Sequence, residues 1–110
     1  MISRALVAAS TKPLILSILL GGENYGYKII RKVKDLSGGK LEWSDGMIYP
    51  VLQRLERDGF VLANWRISDS GKLRKYYTLT DLGRAELEQE RAQWLCVHRA
   101  LSKLWDPFPA

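Results

Sequence analysis

The chain has 110 residues, enough for one domain, and a monomer of this size buries only about 60 to 70% of the surface its unfolded chain exposes, so a second subunit would add to its stability. Hydrophobic residues make up 46% and charged residues 26%, which excludes an intrinsically disordered chain. Lys and Arg number 17 against 12 Asp and Glu, and the resulting net charge of +5 favours a polyanionic partner, with solubility alone as the plain alternative.

Residues 2 to 9 read as a short helix with Ile2, Leu6 and Ala9 on one side. Ser10 or Thr11 then offers an N-cap to a second helix that carries Pro13 in its first turn, where the missing N–H does no harm. Leu14 to Leu20 are apolar nearly all round, which predicts burial, and Gly21 and Gly22 end the helix. That run is far short of the ~20 residues of a membrane span. The small residues Ala8, Ala9 and Ser10 precede it instead of following it, the reverse of a secretory cleavage arrangement. The expectation is a cytoplasmic protein with no membrane partner.

Asn24 is a suitable cap for the next helix, in which Ile29, Ile30, Val33 and Leu36 form the apolar stripe and Lys28, Arg31, Lys32 and Lys34 the basic exterior. Ser37, Gly38 and Gly39 end it, and Lys40 to Trp43 read as one short extended piece. From Ser44 to Asp58, Ile48, Val51, Leu52 and Leu55 fall at i, i+3, i+4 and i+7, the spacing of a helix docked on a core. Its other faces carry Ser44, Asp45, Met47, Tyr49, Gln53, Arg54 and Arg57, a mixture of groups able to read another molecule. Pro50 lies inside this stretch, at a cost of roughly 3 kcal/mol in an ordinary helix interior. Either the helix runs through it, or the regular helix starts at Pro50 and residues 44 to 49 form a tight turn.

Phe60 to Ile67 and Lys72 to Leu79 are rich in β-branched and aromatic residues, and Asp69, Ser70 and Gly71 between them are turn formers. They predict a β-hairpin whose returning strand starts with Lys72, Arg74 and Lys75. Thr80 and Asp81 cap a last long helix, from about Asp81 to Leu104, stopped by Asp106 and Pro107. Leu87, Trp94 and Leu101 are seven apart, with Val97 and Leu104 between, which gives a coiled-coil-like seam interrupted at Glu90. The seam, with Trp105 at its end, is read as an intersubunit contact; packing within one domain is the alternative. The single cysteine, Cys96, excludes an internal disulfide and cannot build a zinc site. Cys96 and His98, the sole histidine, point to different faces of the helix, so no nucleophilic pair exists within one chain. Neither a phosphate-binding glycine loop nor a metal-ligand cluster is present, and no enzyme, metal or cofactor is expected.

Helix, helix, central helix, two-stranded wing and long final helix is the order of a winged helix-turn-helix protein. The expected fold class is therefore mainly α with a small β-hairpin, with residues 1–80 forming the winged domain and 81–110 a dimerisation helix and tail. The pieces Asn24-Tyr25-Gly26-Tyr27-Lys28-Ile29-Ile30, Gly46-Met47-Ile48-Tyr49-Pro50, Leu52-Gln53-Arg54-Leu55-Glu56-Arg57-Asp58-Gly59-Phe60 and Arg74 to Arg84 resemble those of PadR-family transcriptional regulators, in order and in spacing. Members often carry a histidine before the first Gly-Tyr pair, where this chain has Tyr25. The resemblance is to the smaller subfamily, which dimerises through a single final helix, and it implies a homodimer bound to double-stranded DNA. Some of those dimers are similar to multidrug sensors in which a tryptophan from each final helix lines an apolar pore. Trp94 stands at that place, with Val97 and His98 beside it, which implies a small aromatic or apolar effector; a dimer-core tryptophan without ligand is the alternative.

On DNA, Ser44, Asp45, Gly46 and Met47 at the start of the central helix would approach the major groove, with Tyr49, Gln53 and Arg54 along it. Tyr49 as a half-buried packing residue is the alternative. Lys72, Arg74 and Lys75 would meet flanking phosphates or the minor groove, and Tyr25, Tyr27 and Lys28 would anchor the second helix on the backbone. A winged helix used only for protein contacts is the rival reading, opposed by Gln53, Arg54 and Arg57 on the outer face of the central helix.

Overall fold

The computed structural model describes residues 1–105, so the expected helix stop at Asp106 and Pro107 lies outside the described residues. The elements run α1 (Arg4–Leu20), β1 (Asn24–Tyr25), α2 (Gly26–Leu36), α3 (Asp45–Arg57), β2 (Val61–Ile67), β3 (Leu73–Leu79) and α4 (Asp81–Trp105). The class is the expected one, mainly α with a small sheet, although the sheet has three antiparallel strands in the order β1-β3-β2. The core gathers Ile15, Leu16 and Leu19 of α1, Ile29 and Val33 of α2, Ile48, Leu52 and Leu55 of α3, Val61, Tyr77 and, from α4, Leu87.

Four local expectations are corrected. The two short N-terminal helices are one, capped by Ser3, whose Oγ accepts from the Leu6 N–H at 3.2 Å. Ser10 and Thr11 do not cap; their hydroxyls donate back to the Val7 carbonyl at 3.0 and 2.7 Å. Pro13 lies in the helix, and the carbonyl it leaves without a donor belongs to Ala9, which is exposed and so open to solvent. Second, Asn24 caps nothing in α2. It is extended, pairs with Tyr77 of β3, and its Oδ1 accepts from the Tyr25 N–H at 3.0 Å. Third, Lys40 to Trp43 form no strand; the Leu41 N–H donates to Ser37 Oγ at 2.8 Å and Trp43, 5% exposed, ties the segment to the core. Fourth, Leu36 leaves the α2 stripe and is 67% exposed.

At Pro50 the helix runs through. α3 begins at Asp45, and the Met47 and Ile48 N–H groups donate to the Ser44 carbonyl at 3.1 and 3.0 Å. The carbonyl deprived by Pro50 is that of Gly46, an exposed residue with open space around it. Burial of Ile48, Leu52 and Leu55 on one continuous helix outweighs the lost bond.

Between wing and final helix, Thr80 is a hub. Its Oγ1 donates to the Gly59 carbonyl at 2.7 Å and accepts from the Gly83 N–H at 2.9 Å, a cap contributing about 1 kcal/mol. The first half of α4 then lies along α1, where Lys12 bridges Glu86 and Glu90.

Candidate nucleic-acid interface

The inward stripe of α3 leaves Ser44, Asp45, Gly46, Gln53 and Arg54 exposed, with Tyr49 38% exposed. Met47 differs from its neighbours: half-buried, it packs against the core. Beside α3 stands the β2–β3 hairpin, in register from Val61↔Leu79 to Ile67↔Leu73 and closed by Gly71 at a φ of 83°, which favours glycine. Between them is a cleft of about 380 Å³ lined by Tyr25, Tyr49, Gln53, Trp65, Leu73, Arg74, Lys75 and Tyr77.

Tyr49 is both a packing residue and a lining one. A Cβ at Gly26 would stand 2.7 Å from its hydroxyl, so the ring rests on the first residue of α2 and would have to shift to admit any larger residue there. Burial, and next the Asp45 carboxylate, push its pKa up, so the hydroxyl stays a donor. At the floor, burial and the charge of Glu56 push Tyr77 up to about 12. Its contribution to stability is therefore complete below about pH 10 and lost as pH rises towards 12.

The cations divide into tethered and free. The Lys75 Nζ pairs with Glu56 Oε1 at 3.2 Å, which holds it against its own chain. Arg74 lies 4.2 Å over the Tyr25 ring, and its buried Nε has no hydrogen-bond partner. Arg66, which the sequence reading did not single out, sits opposite Arg74 on β2, stacks 4.0 Å over Tyr76 and pairs with Glu23. Its position opposite a predicted wing cation was the available signal. Tyr25 and Tyr76 meet edge to face at 5.4 Å, so the two arginines flank an aromatic pair that joins β1 to the wing. Among the described residues, Lys28, Arg54 and Lys72 have no ion-pair partner. Tyr27 is 52% exposed and lies under the Arg31 guanidinium, 5.9 Å from its ring centre.

The predicted seam is split by α4 itself. Leu87 is 5% exposed and taken up by the core of its own chain, which corrects its place in the seam. Trp94, Val97, Leu104 and Trp105 are exposed and Leu101 is half-buried. His98 Nε2 lies 3.4 Å from Ser102 Oγ on the same helix. No helix among the described residues is long and apolar enough to cross a membrane.

The chain is 30% identical over 95 residues, 86% of each chain, to an uncharacterized protein of Lysinibacillus sphaericus. It is 34% identical over 87 residues to the negative transcriptional regulator PadR of Bacillus subtilis, covering 79% of this chain and 46% of that one, so it spans about half the length of that relative. Among solved structures, a PadR-like transcriptional regulator of Bacillus cereus superposes with a TM-score of 0.82 at 28% identity, covering 94% and 99% of the two chains. A transcriptional regulator of Clostridium thermocellum shares the fold, with a TM-score of 0.84 at 23% identity over 96% and 100%. The model of the transcriptional regulator PadR-like family matches residues 15–89, and the chain belongs to that family of transcriptional regulators.

Proposed function

We propose that this protein is a cytoplasmic homodimer that binds a roughly two-fold symmetric DNA operator, its half-sites about one helical turn apart, and represses transcription from it. The observation that carries this reading is the exposed polar face of α3 beside the wing, with a cleft between them lined by Tyr49 and Gln53 of α3 and by Arg74 and Lys75 of the wing. Ser44, Asp45, Gly46, Gln53 and Arg54 read base edges, while Lys28, Lys72 and Arg74 set the phosphate register. Gln53, Arg54 and Arg57 on the outer face of α3 argue against a surface for protein contacts alone. Repression is suggested by the name of the Bacillus subtilis relative. Pairing through the exposed half of α4 leaves Trp94, Val97 and His98 at the junction, where a small aromatic or apolar effector shifts the dimer to a geometry that misplaces the two α3 helices.

The test uses the duplex that the wild-type protein enriches from a random pool. Gln53→Ala and Arg54→Ala should each bind it roughly tenfold more weakly at unchanged melting temperature. Affinity unaffected by both would remove α3 as the reading element.

A further inference from the structure

A groove of about 380 Å³ lies between α1 and α3, on the side of α3 turned away from Tyr49 and Gln53. Met47, Val51 and Arg54 fall at i, i+4 and i+7 of α3, and Arg4, Ala8 and Thr11 repeat that spacing on α1, so each helix turns one stripe into the groove. Ile2 and Val7 complete its apolar lining. Val7, Met47 and Val51 are half-buried and pack on the core, while Thr11, 4% exposed, donates its hydroxyl proton to the Val7 carbonyl. The floor is therefore apolar, and its one hydroxyl is satisfied. Its edges are charged. Arg4 and Arg54 are exposed, no carboxylate lines the groove, and among the described residues neither guanidinium has an ion-pair partner. Unpaired like charges and open apolar surface are both unfavourable, and a ligand with an apolar body and one negative end relieves both.

We infer that this groove binds a small amphipathic anion, a carboxylate on an aliphatic chain, and that the ligand competes with DNA for Arg54. The aliphatic chain lies on Val7, Met47 and Val51, and the carboxylate accepts charge-assisted hydrogen bonds from Arg4 and Arg54. The volume falls at the lower end of ligand pockets, which run from roughly 300 to 1,000 Å³, and so suits a ligand of this size. Charge opposes the other available occupant, the exposed half of α4 from a second copy. From Arg91 to Trp105 that helix carries Arg91, Arg99 and Lys103 and no carboxylate, so it would set cations against cations. The competition rests on the DNA-binding reading and deepens it: one guanidinium cannot hold a carboxylate and a base edge at once, so ligand and DNA weaken each other's binding by the same factor. The groove shares no residue with the junction around Trp94, and the two sites are separate.

Methionine labelled with carbon-13 at its methyl group is the reporter, because the chain has two methionines, Met1 and Met47, and of these Met47 lines the groove. The probes are octanoate and octanol, which share an aliphatic chain and differ in charge. Without DNA, octanoate should shift the Met47 signal of the wild type, and octanol should bind roughly tenfold more weakly. Arg4→Gln should weaken octanoate by about tenfold while duplex affinity and melting temperature stay unchanged. Ala8→Trp, at an exposed position, should fill the groove and abolish the shift. On the duplex that the wild-type protein enriches from a random pool, octanoate should release the wild type and, at the same concentration, neither variant. An unmoved Met47 signal, equal binding of octanoate and octanol, or octanoate binding indifferent to Arg4→Gln would each overturn the anion site. A shifted Met47 signal without release of the duplex would overturn the competition, as would release that persists in Ala8→Trp. Enrichment of no duplex by the wild type would remove the DNA-binding reading itself, while the titration without DNA still decides the groove.

Discussion

Gly83→Ala should destabilise the protein by about 3 kcal/mol or more and lower its melting temperature by roughly 10 °C or more. Gly83 is the third residue of α4 and is buried. A Cβ there would fall well inside contact distance of the Phe60 carbonyl oxygen and 2.7 Å from Leu79 Cδ1. Leu79 can turn aside, but the Phe60 carbonyl cannot, because it accepts the Thr80 N–H at 3.1 Å. The neighbouring Gly59 carbonyl is held at 2.7 Å by Thr80 Oγ1, whose other bond is to the Gly83 N–H. One interlocked junction thus sets the angle at which α4 leaves the body. Propensity acts the other way, since alanine in a helix is favoured over glycine by about 1 kcal/mol, so a large loss isolates the clash. Gly46→Ala is the control. A Cβ at Gly46 meets nothing nearer than Ser44 Oγ at 3.9 Å, and stability should hold or rise slightly. Thermal melting of the two variants checks both outcomes.

Val97→Glu and Leu101→Glu should each convert the proposed dimer to monomers and weaken binding to an enriched duplex by about a hundredfold or more. Two linked reading helices gain roughly 10² to 10⁴ in avidity over one, and a buried carboxylate in an apolar helix pair is costly. Residues 91–100 of α4 are exposed throughout, and Trp94, Leu95, Val97, Leu104 and Trp105 among them and beyond are large apolar side chains left open to solvent. Sedimentation gives the mass and anisotropy the affinity; dimers that persist in both variants would move the interface elsewhere. The same variants examine the effector. Planar aromatic compounds should quench the emission of Trp94 in the wild type and lose that effect in the monomers, whereas equal quenching in both would place any such site outside the dimer junction.

The long periodic elements were legible from residues alone. Ile48, Leu52 and Leu55 announce α3, the β-branched runs around Asp69-Ser70-Gly71 announce the wing, and Thr80 announces the cap of α4. What escaped depends on partners distant in the chain. β1 has two residues, too few for any alternation, and exists because Tyr76 and Tyr77 pair with it. The continuity of α1 through Pro13 is a tertiary effect, since both of its halves pack on the body, Val7 and Thr11 before the proline and Ile15, Leu16, Ile18 and Leu19 after it. Leu87 fits a heptad as well as a core, and only the packing of α4 on α1 decides between them. In the interface, the charges were visible but their tethers were not. Glu23 lies 43 positions from Arg66 and Glu56 lies 19 from Lys75, spacings that carry no local signal.

In the proposed function, this chain presents α3 and the wing to DNA through phosphate contacts. Fluorescence anisotropy of a labelled random duplex, titrated with the wild-type protein at two salt concentrations, tests it most directly. Binding should be present at low salt and weaken steeply as salt rises, by about 0.9 in the log–log slope for each phosphate neutralised. No binding at low salt, or binding indifferent to salt, would contradict it.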